Sequence, residues 1–148
     1  MTSNEDDRRL RSHIVREALS WLSTPYRHQA SAKGQGADCL GLIRGVHQSL
    51  YSTVSEVPPP YRPSPRQWGE GEPLLSAAQR HLQKTDTPRL GDVVLFRLNR
   101  HAPISHCGIV LEADQFIHAY HGRGVIITAF SRYWQRRLAA AFSFPETS

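Results

Sequence analysis

Cysteine is scarce in this chain. Only Cys39 and Cys107 occur among 148 residues, which excludes a disulfide-stapled scaffold, and neither belongs to a C-x-x-C pair that would mark a zinc ribbon or a redox motif. Long apolar runs are missing too: none approaches the roughly 18 residues a membrane-spanning helix needs. Residues 1–9, Met-Thr-Ser-Asn-Glu-Asp-Asp-Arg-Arg, are acidic and then basic, without the apolar stretch of a secretory signal. The expectation is synthesis in the cytoplasm, with residues 1–7 as a flexible lead-in. Lysine is rare, since 16 of the 18 basic residues are arginine. The 10 glycines and 10 prolines are too few and too aperiodic for a fibrous or low-complexity protein.

What is present fits one globular domain spanning 1–148. The chain is 39% hydrophobic, too apolar for disorder, and of ordinary single-domain length. A net charge of +5 carried by arginine suits an anionic partner, because the guanidinium grips carboxylates and phosphates in a planar, bidentate way. The arginines are scattered rather than grouped in a basic block, so a nucleic-acid-binding module ranks last among the readings.

Residues 8–22 carry Leu10, Ile14, Val15, Ala18, Leu19 and Leu22 at helical spacing, ending at Ser23-Thr24-Pro25. Tyr26 to Ala37 reads as a polar loop. Asp38 is a good N-cap for a second amphipathic helix through Leu40, Leu42, Ile43, Val46 and Leu50, with Cys39 in its first turn. The Pro-rich stretch at 57–67 is expected to be an extended surface excursion, followed by a short helix over 72–83. Short apolar runs at 93–98, 106–111, 116–120, 125–128 and 139–144, separated by turn residues, read as antiparallel strands. Helices first and strands second is an α+β order.

A thiol in the first turn of a helix feels the positive end of the helix dipole, which favours the thiolate. By itself the pattern leaves a structural role for Cys39 open. The Gly-rich approach, the Asp38 cap and the small Gly41 two positions on weigh toward reactivity, since Gly41 lets another group come close. Of eight histidines, His106 and His118 fall on consecutive predicted strands, within a residue or two of direct opposition. Strand alternation points Cys107 away from His106 and toward the core. His13, His47 and His81 are expected on helix surfaces, His28 and His101 in loops and His121 in a turn. Zinc would need about four converging ligands, which adjacent His106 and Cys107 on one strand do not offer, so no cofactor is expected.

Five segments in this order, Thr24-Pro25-Tyr26-Arg27, Asp38-Cys39-Leu40-Gly41-Leu42, Leu90-Gly91-Asp92-Val93-Val94-Leu95-Phe96, Ser105-His106-Cys107-Gly108-Ile109-Val110 and Phe116-Ile117-His118-Ala119, resemble the NlpC-type cell-wall cysteine peptidases. More narrowly they resemble the compact branch found in phages, prophages and gene-transfer-agent clusters. The resemblance runs from about Trp21 to Pro145 and implies a circularly permuted papain-like fold, with N-terminal helices packed on a C-terminal antiparallel sheet. It makes Cys39 the nucleophile, His106 the base and His118 the polar third member, and puts Tyr26 and Asp38 at the substrate and oxyanion end. Departures are Ser23, where many members have glycine, Leu40, where many have serine, and Cys107, where valine is common.

The reading implied is a peptidoglycan endopeptidase cutting a stem peptide between D-glutamate and diaminopimelate or lysine. A phage-like particle or lysis would deliver it, with tail proteins as partners. The alternatives are an acyltransferase or deamidase using the same thiol, and a non-catalytic tail component that binds the cell wall through its arginines.

Overall fold

The computed structural model describes residues 4–51 and 72–146; the expected excursion at 57–67 lies outside them. Helix α1 (Asn4–Leu19) buries Ile14 and Ala18. It begins at Asn4, so residues 4–7 are helix rather than flexible lead-in. Glu5, Asp6 and Asp7 stand in its first turn, where the helix dipole favours acids, and Asp7 accepts a hydrogen bond from Arg11 Nε at 3.0 Å. The helix stops at Leu19 rather than at 22. Ser23 then takes a left-handed φ of 70°, a conformation in which glycine is unstrained, which accounts for the residue this chain departs from.

Within the expected loop lies a small hairpin, β1 (Ser31–Ala32) and β2 (Gly36–Ala37), turning through Gly34 at φ 79°. Helix α2 (Cys39–Tyr51) buries Leu42, Ile43 and Val46. Helix α3 (Pro73–His81) opens with proline in its first turn, where the missing N–H costs nothing. It leads into β3 (Gln83–Thr85), a strand too short to show any alternation.

The remaining strands are β4 (Val93–Arg97), β5 (Ile104–Leu111), β6 (Gln115–Tyr120), β7 (Gly124–Ala129) and β8 (Leu138–Ser143), with the one-turn helix α4 (Arg132–Gln135) before the last. They form one antiparallel sheet in the order β3-β8-β4-β5-β6-β7, the α+β architecture expected. The helices cover one face, where Leu95, Cys107, Ile109, Ile117 and Phe142 join Ile14, Leu42 and Val46. On the other face Val94, Phe96, Phe116 and Ala141 pack beneath Trp134 of α4. Burial on both sides explains why β4 is a continuous apolar run rather than an alternating one. Fully buried Phe96, Phe116 and Phe142 each contribute on the order of 2–3 kcal/mol of apolar burial, so the sheet is a firm platform for what it carries.

Candidate active site

Asp38 caps α2 as its position predicts. Its Oδ1 accepts from the Gly41 N–H at 2.8 Å and its Oδ2 from the Gln29 N–H at 2.8 Å. The carboxylate therefore holds the helix start and the loop before it together, and an acceptor in this role cannot serve as an oxyanion donor. Burial, and secondly the Cys39 charge, push its pKa up to about 6. Gly41 admits the loop itself: a Cβ there would stand 1.8 Å from the Ala30 carbonyl oxygen, and Ser31 Oγ donates to the Gly41 carbonyl at 2.7 Å. The close approach that the small residue foreshadows is made by the protein's own backbone.

Cys39 is the first residue of α2 and partly exposed. Its thiol is held well below its ordinary range, first by a hydrogen bond from the Cys107 thiol and then, against burial, by a hydrogen bond and the positive charge of His106. Cys107, 1% exposed on the helix-facing side, is raised well above its own range by that bond and by burial. It is the core residue expected from alternation, and it is also the hydrogen-bonding neighbour of the Cys39 thiol.

His106 and His118 meet on the other side of β5. His106 Nε2 lies 2.7 Å from His118 Nδ1, and His118 Nε2 lies 2.7 Å from Thr128 Oγ1. Two local irregularities bring the rings together. Ser105 is an extra residue in β5, since Phe96 pairs with His106 while Arg97 pairs with Ile104; such a bulge bends the strand and re-aims the side chain beside it. Pairing of Ile109 with Ile117 sets Gly108 across from His118, so the two histidines are diagonal neighbours. A Cβ on Gly108 would lie 2.8 Å from Phe116 Cδ2 and 3.2 Å from His118 Cβ, closing the space His118 occupies. Trp134 packs on both rings, at 5.6 Å from His106 and 5.4 Å from His118 between centroids, with half-exposed Tyr120 beside them.

Burial first, then the nearby His106 charge, lowers the pKa of His118 to about 3, so its ring stays neutral in the folded protein through the range in which an unfolded histidine takes a proton. The unfolded chain then binds the extra proton below about pH 6.5, and stability falls as the pH drops from there toward 3. Asp38 has the opposite sign. Its raised pKa gives a contribution present in full below about pH 4 and lost as the pH rises through about 6. Because His118→Asn retains Asp38, comparison with wild type isolates the histidine. Between pH 7 and pH 4.5 the wild type is expected to lose about 2 kcal/mol more than the variant, read from urea unfolding at both pH values; parallel losses would show that His118 is not buried neutral.

Tyr26 is half-buried, its ring 5.1 Å from that of His121. Burial, and then the charges of Cys39 and Asp38, raise its pKa, so it keeps its hydroxyl proton and can donate it in a hydrogen bond. Part of the arginine excess is paired within the chain: Arg11, Arg89 and Arg97 form ion pairs with Asp92, Asp7 and Glu72. Thr128 and Trp134 were not legible as site residues, because each reaches His118 only through strand pairing or helix packing. Among the described residues no group of three or more His, Cys, Asp or Glu could hold a metal ion, and no helix is long and apolar enough to cross a membrane.

A thiol at a helix start, set against histidines borne by an antiparallel sheet, defines an α+β domain of papain-like layout. Comparison with known proteins makes this specific: the chain belongs to the NlpC/P60 family, whose model matches residues 23–143. It is 30% identical over 132 residues to the gamma-DL-glutamyl hydrolase of Bacillus subtilis, covering 88% of this chain and 29% of that protein. It is 33% identical over 120 residues to a probable endopeptidase NlpC homolog of Haemophilus influenzae, covering 78% and 53%. The chain thus spans about half or less of these relatives. The crystal structure of the NlpC/p60 domain of the peptidoglycan hydrolase SagA shares the fold, with a TM-score of 0.61 at 21% identity over 90% of this chain and 98% of that one.

Proposed function

We propose that this domain is a peptidoglycan endopeptidase, a cysteine peptidase that hydrolyses the stem-peptide amide between D-glutamate and diaminopimelate or lysine. The observation that carries this reading is geometric: Cys39 starts α2 with its Sγ 4.0 Å from the carbonyl oxygen of Ser105, the residue before His106, and His118 Nδ1 lies 2.7 Å from His106 Nε2. Membership in a family of cell-wall endopeptidases supports it. So does the relative named as a gamma-DL-glutamyl hydrolase, since the bond in question is a glutamyl amide.

The Cys39 thiolate attacks the amide carbonyl carbon, and the oxyanion accepts hydrogen bonds from the Cys39 N–H and the Tyr26 hydroxyl. Only donors aimed at the developing charge stabilise the transition state, and a first-turn helix N–H has no acceptor within the helix. As the C–N bond breaks, the His106 imidazolium gives its proton to the departing amine. Neutral His106 then takes a proton from water, whose hydroxide adds to the thioester carbonyl; the thiolate leaves, the carboxylic acid released gives its proton to solvent, and the thiolate–imidazolium pair is restored. His118 orients His106 throughout, the part a carboxylate or amide plays in other triads.

Delivery to the wall by a phage-like particle or at lysis, with tail proteins as partners and synthesis in the cytoplasm, belongs to the same proposal. Its support is the resemblance of the five motifs to the phage and gene-transfer-agent branch. The test is digestion of purified peptidoglycan with fragments identified by mass. The expected products carry a new amine on diaminopimelate or lysine; an amine-capped glutamyl product would move the reading to acyl transfer, and an intact stem would remove it.

A further inference from the structure

We propose that Thr128 is a positioning residue of the thiol site, its side-chain oxygen accepting the Nε2–H of His118 and thereby turning the His118 Nδ1 lone pair toward His106. This rests on the Cys39–His106–His118 reading above and extends it by one residue on β7.

A chain of short contacts fixes where each imidazole proton sits. His118 bridges two neighbours, with Nδ1 at 2.7 Å from His106 Nε2 and Nε2 at 2.7 Å from Thr128 Oγ1. The ring is 1% exposed, so water does not compete for either nitrogen. Neutral imidazole has one N–H, and imidazolium has two. When His106 is the imidazolium that faces the thiolate, its Nε2 carries hydrogen and needs a bare nitrogen opposite. His118 Nδ1 must then be that acceptor, and the single His118 proton sits on Nε2, aimed at Thr128. With the proton on Nδ1 instead, two N–H groups would confront each other and the imidazolium would lose its support. Burial and the His106 charge, which keep His118 neutral, remove the doubly protonated alternative.

The fold explains why a threonine does this. Thr128 pairs with Phe116, and His118 with Ile126, so Thr128 and His118 are diagonal neighbours on one face of the sheet. A β-branched side chain is stiff about its first torsion, which fixes Oγ1 under the imidazole. Thr128 is only partly buried, so its own hydroxyl proton can turn to solvent and leave the oxygen free to accept.

The test combines histidine ¹⁵N NMR with kinetics. Wild type is expected to show a protonated Nε2 and a bare Nδ1 on His118. In Thr128→Val, which keeps the shape and removes the oxygen, the His118 Nε2 signal should move toward the bare type. kcat on a stem peptide should fall roughly ten- to a hundredfold with little change in KM, the size of one buried N–H left without an acceptor. Alkylation of Cys39 at neutral pH should slow in step. Thr128→Ser should recover most of the lost rate and the original ¹⁵N pattern, which a purely steric role would not predict.

A wild-type spectrum with the proton on Nδ1 overturns the proposal without any variant, as does a Thr128→Val protein with unchanged spectrum and kcat, or a serine variant as slow as valine. Wild type that shows the expected His118 spectrum and rapid Cys39 alkylation, and whose spectrum and alkylation respond to Thr128→Val, yet cuts no stem peptide, supports the Thr128 assignment while removing the peptidase reading.

Discussion

Cys39→Ala is expected to lower the rate of stem-peptide hydrolysis by on the order of 10⁴-fold or more while leaving thermal unfolding nearly unchanged. In the proposed mechanism the Cys39 sulfur forms the covalent bond to the acyl group, a part no neighbouring group can take over. Cys107 is the one remaining thiol in the chain; it is buried at 1% exposure, and in wild type its pKa is driven up by Cys39 and by burial. Two readouts check this: the mass of released peptides, and the rate of alkylation by iodoacetamide. Wild type should alkylate quickly at one site, and the variant slowly. Because Cys39 is partly exposed at the tip of α2, its truncation opens no large core cavity, and the melting temperature should move by no more than a few degrees. Hydrolysis within tenfold of wild type would mean that another group is the nucleophile.

Asp92→Ala should do the reverse, with a large loss of stability and little change in kcat for the folded fraction. Asp92 is 1% exposed and accepts from Arg11 Nη1 at 2.7 Å and from the Arg89 N–H at 2.8 Å. Arg11 also donates to the Leu90 carbonyl at 2.8 Å, and Gly91, at φ 85°, lies against the Arg11 backbone. The Leu90-Gly91-Asp92 turn is thus a hook that ties α1 to the start of β4. Removing the carboxylate leaves a nearly buried guanidinium with only Asp7 and a carbonyl, a change that costs about 3 kcal/mol, a large part of the roughly 5–15 kcal/mol that holds a domain folded. Urea unfolding measures it. Replacing both partners, Arg11→Met with Asp92→Leu, should recover most of the loss, because no charge is then stranded. A single variant as stable as wild type would show that the pair is not desolvated in solution.

These two residues also show how far the sequence could be read. Cys39 stood out because its setting is local: an N-cap, a helix start and a small residue within a few positions, each with its own physical signature. The boundaries of β4 to β8 were legible for the same reason, and so was the division of Cys107 and His106 between two faces of β5; the short strands β1, β2 and β3 were not. The boundaries of α1 were less so, since acids in a first turn and a left-handed Ser23 leave no mark in an apolar period. Asp92 appeared only as part of a familiar Leu-Gly-Asp motif; its partner lies 81 positions earlier, and periodicity carries no information about partners.

By itself, then, the sequence determined helices α1 to α3, strands β4 to β8, the α+β order and the thiol at the helix start, because those follow from interactions within one or two turns of chain. Only the tertiary structure decided that His106 and His118 touch, through a bulge at Ser105 and the missing side chain of Gly108, and that Thr128 and Trp134 complete their surroundings. Alternation tells which face a strand residue takes. Which residue on the next strand it meets depends on register, and register is settled by bulges, turns and the packing of both sheet faces at once.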